Sequence, residues 1–158
     1  MHNVNNTFDS GGVIYKKKLI NRKEKYSTDI VLIATWFKER GMLVKDILDS
    51  GLKIKVYGNR WEKDKNLKKI QHAVSPGVNH TEYKKIIQNA RIAICLPSEE
   101  NQDDITNRSL EIPTLGSLLL AKKTKTHSEF FIDNKEAVFF KNNKDCISKC
   151  KFLLQHEK

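Results

Sequence analysis

Strand-length apolar segments that alternate with segments of helical spacing constrain this chain more than any other feature. Three of them are apolar almost throughout, which is typical of strands buried on both faces: residues 29–35, 90–96 and 117–121. Further strands are predicted at residues 52–57, 73–75 and 137–140. Because helical segments separate the strands, the pattern predicts an α/β fold with a doubly wound, Rossmann-like parallel sheet covered on both faces.

The helical segments between these strands are short. They are predicted at residues 42–48, 81–89, 107–116, 126–132 and 145–155, with a turn at 36–41 and a loop or short helix at 61–70. Ligands of doubly wound sheets bind outside the carboxyl ends of the strands. The candidate functional residues should therefore share one edge, formed by the loops 35–41, 58–61, 76–80, 97–107 and 121–127.

The helix predicted at 107–116 has recognisable boundary signals. Thr106 and Asn107 can accept backbone N–H bonds at its start, and Gly116 suits its end. Pro113 is expected either near the first turn or at a kink. The helix should therefore be brief, with its N-terminus facing a loop.

Two charged residues near that N-terminus suggest a ligand site. Arg108 beside a helix start favours an anion, and the Glu111 carboxylate can accept hydrogen bonds from two sugar hydroxyls. The pair would suit a nucleotide sugar, with the diphosphate on one side and the ribose on the other. The same residues also fit an amphipathic helix whose charges are merely solvated.

The sequence lacks the motifs that are typical of several enzyme classes. The segment 34–41, after the first predicted strand, contains one glycine and no GxGxxG pattern, which disfavours a NAD site. There is no Walker A motif and no Gly-x-Ser-x-Gly elbow, which disfavours P-loop enzymes and α/β-hydrolases. A receiver-like domain fits the topology, but it would need paired acidic residues after the first strand, and they are missing.

The net charge of +10 favours anionic partners such as nucleic acid, acidic lipid or phosphorylated ligands. Many lysines occur at helical spacing opposite apolar residues, as on solvated faces, and aromatic residues do not interleave with them as a base-stacking surface requires. Nucleic acid is therefore not the expected partner.

The length of 158 residues predicts one domain, at residues 29–158, after a linker at 1–28. No run of eighteen apolar residues and no secretory signal occurs, and the three cysteines lack zinc-site spacing. These observations predict a cytoplasmic protein with no metal and no cofactor.

An ordered set of motifs resembles a known family. The segments are residues 29–34, 56–61, Tyr83 with 90–94, 107–113 with Gly116, 127–131 and 134–136. Together they resemble the C-terminal half of CgeB-like, group 1-type glycosyltransferases, over residues 1–157. The resemblance implies one half of a GT-B fold, the half that binds the nucleotide-sugar donor.

The resemblance also implies roles for individual residues. Glu111 would bind the donor ribose, with Asn107 beside it, and Asp103 would contact the sugar as a weak catalytic candidate. Asp103 stands eight residues before Glu111, where the family commonly has Glu. The remaining roles are the diphosphate for Arg108, Lys38 and Arg40, the base for Gly77, Val78 and Tyr83, and the rim of the site for Gly58 and Trp61.

Structural explanations compete with several of these roles. Lys38 and Arg40 also fit a solvated helix start, Tyr83 a core position, Trp61 a packing position and Asp103 a loop or cap position. The histidines near the predicted edge, His80 and His127, fit polar loop positions better than a general base.

The functional hypothesis is a donor-binding domain of a hexosyltransferase-type enzyme that uses a nucleoside-diphosphate sugar such as a UDP-sugar. The acceptor is unknown, and the acceptor-binding half would lie in another domain or chain. The alternative is a non-enzymatic α/β module that binds nucleic acid or an acidic partner through its basic surface.

Overall fold

The computed structural model describes residues 26–97 and 105–156. Its sheet has six strands: β1 (Thr28–Ile33), β2 (Ile54–Tyr57), β3 (Val74–Ser75), β4 (Ala90–Cys95), β5 (Leu118–Lys122) and β6 (Val138–Phe140). The order is β3-β2-β1-β4-β5-β6, and every neighbouring pair is parallel. The predicted doubly wound, Rossmann-like sheet is confirmed.

In the described residues, five α-helices lie between these strands and a sixth follows β6: α1 (Lys38–Asp49), α2 (Leu67–Ile70), α3 (His80–Gln88), α4 (Asn107–Thr114), α5 (Lys125–Phe130) and α6 (Asn143–Gln155). Alternate residues of β1 serve the two faces of the sheet. Ile30 and Leu32 face a core that also holds buried residues of α1 and α6. Val31 and Ile33 face a second core that holds residues of α3 and α4. The strand order reverses between β1 and β4, with β2 and β3 added on one side of β1 and β4 to β6 on the other, and such folds form a ligand crevice at this point.

The predicted turn at 36–41 is wrong at its end, because α1 begins at Lys38 and includes Gly41. Gly41 is buried against the next loop, and a Cβ there would lie 1.8 Å from Asp64 Oδ2. Asp64 also accepts a 2.7 Å hydrogen bond from Trp36 Nε1. Gly41 therefore permits a close contact inside the helix, and does not end a turn before it.

Helix α4 begins at Asn107 and stops before Gly116, as predicted, but the expected capping bond at its start is missing. Gly116 has a positive φ of 89° just beyond the helix, the conformation expected of a stop. Pro113 lies in the last turn, where only one helical residue follows it. Thr106 is the capping residue, yet its side chain makes no capping bond and contacts Cys95 Sγ at 3.4 Å. Helix α3, in contrast, has a complete capping box made by Asn79 and Glu82.

The predicted linker at 1–28 lies outside the described residues except for its last three. Of these, Thr28 starts β1, and Tyr26 donates a 2.8 Å hydrogen bond to the Gly116 carbonyl. Within the described ranges no helix is both long enough and apolar enough to cross a membrane. The three cysteines are buried and unpaired.

Candidate donor site

Arg108, Glu111 and Tyr83 meet near the carboxyl end of β1. Arg108 and Glu111 lie three residues apart on α4, so they share one side of that helix. The Arg108 guanidinium donates a hydrogen bond to the Ile33 carbonyl and lies 5.9 Å from the centre of the Tyr83 ring. Arg108 is exposed and Glu111 is half-buried, so both remain accessible from the edge of the sheet.

Tyr83 forms the floor beneath these two charges. Its side chain is only 7% exposed and belongs to the core beneath α3 and α4. Its hydroxyl is buried and has no hydrogen bond of good geometry within the described residues. Burial, and secondarily the nearby Glu111 carboxylate, raises the pKa of Tyr83 well above its usual range, so the phenol is neutral at physiological pH. The structure therefore supports the core interpretation of Tyr83.

Arg40 binds two strand ends that border the crevice. Its guanidinium donates to the Thr35 carbonyl at 2.8 Å and to the Leu96 carbonyl at 3.2 Å, and it lies 4.8 Å from the Phe37 ring centre. Arg60, to which the sequence analysis assigned no role, lies 5.9 Å from the same ring. Two arginines thus flank Phe37 where β1 and β2 end. Arg60 could have been chosen as a candidate from the sequence, because it closely follows a predicted strand.

The remaining candidates occupy different environments. Lys38 and Asn107 are exposed first residues of α1 and α4, while Gly77 and Val78 lie in the turn between β3 and α3. Asp103 lies outside the described residues. Among the candidate histidines, His80 is the exposed first residue of α3 and stacks on Tyr83 with ring centres 6.3 Å apart.

Trp61 and Gly58 lie at the edge of the sheet, where the rim was predicted. Their contacts, however, are packing contacts with the end of β1. Trp61 is 2% exposed, and its Nε1 donates a 2.9 Å hydrogen bond to the Ala34 carbonyl. A Cβ on Gly58 would lie 1.9 Å from that same carbonyl oxygen. Both residues therefore fix the end of β2 against the end of β1, beside a cavity of about 390 Å³.

The prediction that His127 is a polar loop residue is wrong. His127 is a fully buried residue of α5. Its Nδ1 lies 2.9 Å from the Lys122 carbonyl and its Nε2 lies 2.8 Å from Ser109 Oγ. A carbonyl can only accept, so Nδ1 of the ring carries a proton and donates a hydrogen bond to the Lys122 carbonyl. Ser109 Oγ also lies 3.3 Å from Cys95 Sγ, within hydrogen-bond distance. This buried chain attaches α4, and hence Arg108 and Glu111, to β4 and α5.

The substitution Ser109→Ala is expected to lower the free energy of unfolding by about 2 kcal/mol, because it leaves the buried His127 and Cys95 groups without their shared partner. Urea unfolding followed by circular dichroism measures this change. Ser148→Ala, at an exposed position of α6, is the control and should change stability by less than about 0.5 kcal/mol. Equal stability of the two variants would show that the buried chain does not hold α4.

No group of three or more His, Cys, Asp and Glu side chains within residues 26–97 and 105–156 could hold a metal ion. The expectation that the site works without a metal or cofactor stays a prediction.

Comparisons with known proteins identify relatives by sequence and by fold. A family model described as glycosyl transferase-like matches residues 39–158. No curated protein matches the chain. The family match is broader than the CgeB-like resemblance, which stays a prediction.

Solved structures share the fold at low sequence identity. A mutant of T4 phage BGT in complex with UDP-glucose superimposes with a TM-score of 0.64 and 19% identity, over 84% of this chain and 39% of that one. T4 phage BGT with UDP and Mn²⁺ gives a TM-score of 0.61 and 20% identity, over 84% and 39%. AviGT4, a glycosyltransferase involved in avilamycin A biosynthesis, gives 0.54 and 11%, over 83% and 42%. The chain thus has the Rossmann-like fold found in GT-B enzymes and spans about two fifths of their length.

Proposed function

Because this chain belongs to the glycosyl transferase-like family, we propose that it is the donor-binding half of a GT-B glycosyltransferase and holds a nucleoside-diphosphate sugar at the carboxyl edge of its sheet. The observation that carries the proposal is the meeting of Arg108 and Glu111 over the Tyr83 ring at the end of β1. A cation and a carboxylate side by side at the crevice suit a ligand with a diphosphate next to a ribose.

The positive groups of the crevice would hold the diphosphate. Arg108 and the N-terminus of α4 lie on one side of it, and Arg40 lies on the other, where it bridges the ends of β1 and β4. Lys38 at the start of α1 would add long-range attraction, and Arg60 extends the positive surface toward β2. Because the carbonyls of Ile33, Thr35 and Leu96 anchor Arg108 and Arg40, little reorganisation is needed when the anion arrives.

With the diphosphate in this position, the rest of the donor would extend along the same edge of the sheet. Glu111 would accept hydrogen bonds from the ribose hydroxyls, with Asn107 one turn earlier on α4. Backbone groups of Gly77 and Val78 would hold the base, and Tyr83 would support the ribose and Arg108 from below. Asp103 is proposed to contact the sugar. UDP is the proposed nucleotide, since the T4 phage BGT structures contain UDP or UDP-glucose.

In the proposed reaction, an acceptor hydroxyl oxygen bonds to the anomeric carbon of the sugar while the bond from that carbon to the diphosphate oxygen breaks. The electron pair of the broken bond leaves with the nucleoside diphosphate, whose charge Arg108 and Arg40 stabilise. The hydroxyl proton passes to a base in the acceptor-binding half, which is proposed to be another domain or chain.

Calorimetric titration with UDP and GDP at moderate salt tests the donor site. We expect saturable binding of one nucleotide, weakened about 10- to 100-fold in Arg108→Ala, because a charge-assisted hydrogen bond contributes about 1.5–3 kcal/mol. Lys84→Ala removes an exposed cation from α3 and serves as the control. A folded chain that binds neither nucleotide would overturn the proposal. Steeply salt-dependent binding to nucleic acid, with no response to UDP, would favour the interaction module.

A further inference from the structure

A concave surface lies at the same edge of the sheet as the candidate donor site but on the other face. A cavity of about 650 Å³ opens between the first turns of α1 and α6, at the ends of β4, β5 and β6. We call it the α1–α6 groove. Its volume falls within the range typical of small-molecule sites, about 300–1,000 Å³.

The inner wall of the groove is apolar. Leu43 and Phe140 belong to the core under α1 and α6, and the half-buried Phe37 and Leu96 continue the wall toward the crevice. Met42 lines the groove with 51% of its surface exposed, and its flexible thioether can adapt to an apolar ligand. An apolar group of a ligand would therefore remove exposed hydrocarbon from water here.

The rim of the groove is mainly cationic. Lys122, Lys141, Lys144 and Arg40 line it, against the two carboxylates of Glu39 and Asp46. Asp46 already accepts a 2.9 Å hydrogen bond from Asn143 Nδ2, which joins α1 to α6. Among the described residues that line the groove, the cations therefore outnumber the acids, and this part of the rim is complementary to an anion.

The groove is separate from the candidate donor site. The donor site lies against α3 and α4, whose residues belong to the second core, whereas the groove lies against α1 and α6. Arg40 is the link, because it lines the groove while bonding to the ends of β1 and β4 that border the crevice. A molecule in the groove would thus lie next to the diphosphate end of a bound donor.

We propose that the α1–α6 groove binds an amphiphilic anion, a molecule with an apolar group and an adjacent phosphate or similar anionic group. The apolar group would lie on Met42, Leu43 and Phe140, and the anion would lie between Lys141, Lys144 and Lys122. That this ligand is the glycosyl acceptor, or part of it, rests on the proposed function; the binding site itself does not.

The test uses n-octyl phosphate as the probe, with inorganic phosphate and n-octanol as the partial probes that lack the chain or the charge. Saturable binding to the full chain is followed by backbone amide chemical shifts. We expect the largest shifts at Met42 and at residues 141–144, and at least about tenfold tighter binding of octyl phosphate than of either partial probe, since each part contributes at least about 1.4 kcal/mol.

The double variant Lys141→Glu/Lys144→Glu should weaken octyl phosphate at least about tenfold. Both side chains are exposed, and acidic residues around the first turn of α6 favour helix formation, so the fold should persist. Lys84→Glu/Lys85→Glu makes the same charge change on α3 and should leave binding unchanged.

Each failure identifies which proposal is wrong. Absence of saturable binding, equal effects of the two double variants, or a partial probe that binds as tightly as octyl phosphate would overturn the amphiphile site. UDP titration of the groove variant should be unaffected, and octyl phosphate binding should survive in Glu111→Ala. A chain that binds octyl phosphate but no nucleotide would retain the groove and overturn the donor site.

Discussion

The substitution Glu111→Ala is expected to abolish measurable UDP binding in a chain that remains folded. Glu111 is half-buried on α4 beside Arg108 and Tyr83, and two ribose hydroxyls would donate to its carboxylate. Each hydrogen bond to a charged group contributes about 1.5–3 kcal/mol, so losing both should weaken binding by roughly 100-fold or more. Isothermal titration with UDP measures the loss.

Two further variants make this result specific to the carboxylate. Glu111→Gln keeps the size and one acceptor oxygen, so it should bind UDP with an affinity between those of wild type and Glu111→Ala. Glu129→Ala removes an exposed acid from α5, on another helix, and should bind as wild type does. Wild-type affinity in Glu111→Ala, in a chain with an unchanged circular dichroism spectrum, would remove Glu111 from the site.

The substitution Gly58→Ala is expected to lower the free energy of unfolding by about 3 kcal/mol, or the melting temperature by roughly 10 °C. The added Cβ would lie 1.9 Å from the Ala34 carbonyl oxygen and 2.7 Å from its carbon. Because these are backbone atoms at the end of β1, they cannot rotate away. The clash should also disturb the hydrogen bond from Trp61 Nε1 to the same carbonyl. Thermal unfolding followed by circular dichroism measures the effect.

Gly77→Ala is the matched control for this prediction. The atom nearest to its added Cβ is Asn59 Oδ1 at 2.8 Å, which belongs to an exposed side chain that can move. Its cost should stay below about 0.5 kcal/mol. If Gly58→Ala and Gly77→Ala have the same melting temperature, the ends of β1 and β2 are less tightly packed than the structure indicates.

The candidate donor site and the α1–α6 groove occupy different faces of the same domain. Both lie at the carboxyl edge of the sheet, one on each face, because α1 and α6 pack on one face and α3 and α4 on the other. Arg40 belongs to both borders and binds carbonyls of Thr35 and Leu96. Under the two proposals, a ligand in either site would lie near the same arginine.

Periodicity alone predicted the secondary structure well where burial is uniform. The apolar runs at 29–35 and 90–96 became β1 and β4, the central strands. A strand that is buried on both faces is apolar at nearly every position. The helix predicted at 81–89 became α3, which begins at His80 after the capping box of Asn79 and Glu82. The common edge for the candidate residues followed from strand direction, without any side-chain detail.

The roles of single side chains were harder to predict, because burial depends on contacts between distant segments. Trp61 was expected at the rim and His127 in a loop, yet both are buried: Trp61 bonds to a carbonyl 27 residues earlier, and His127 bonds to Ser109, 18 residues earlier. Tyr83 likewise lies below the site, under Arg108. No local pattern marks such partners.

The sequence by itself determined the order of the elements, the parallel sheet and the edge that the candidate residues share, since all three follow from hydrophobic periodicity and chain direction. Only the tertiary structure decided which polar side chains face that edge and which are buried beneath it. Arg108 and Tyr83 show the difference: both are polar residues on short helices, but packing of α3 and α4 on one face exposes the first and buries the second. Exposure is a property of the packed helices and sheet, and the residue type does not specify it.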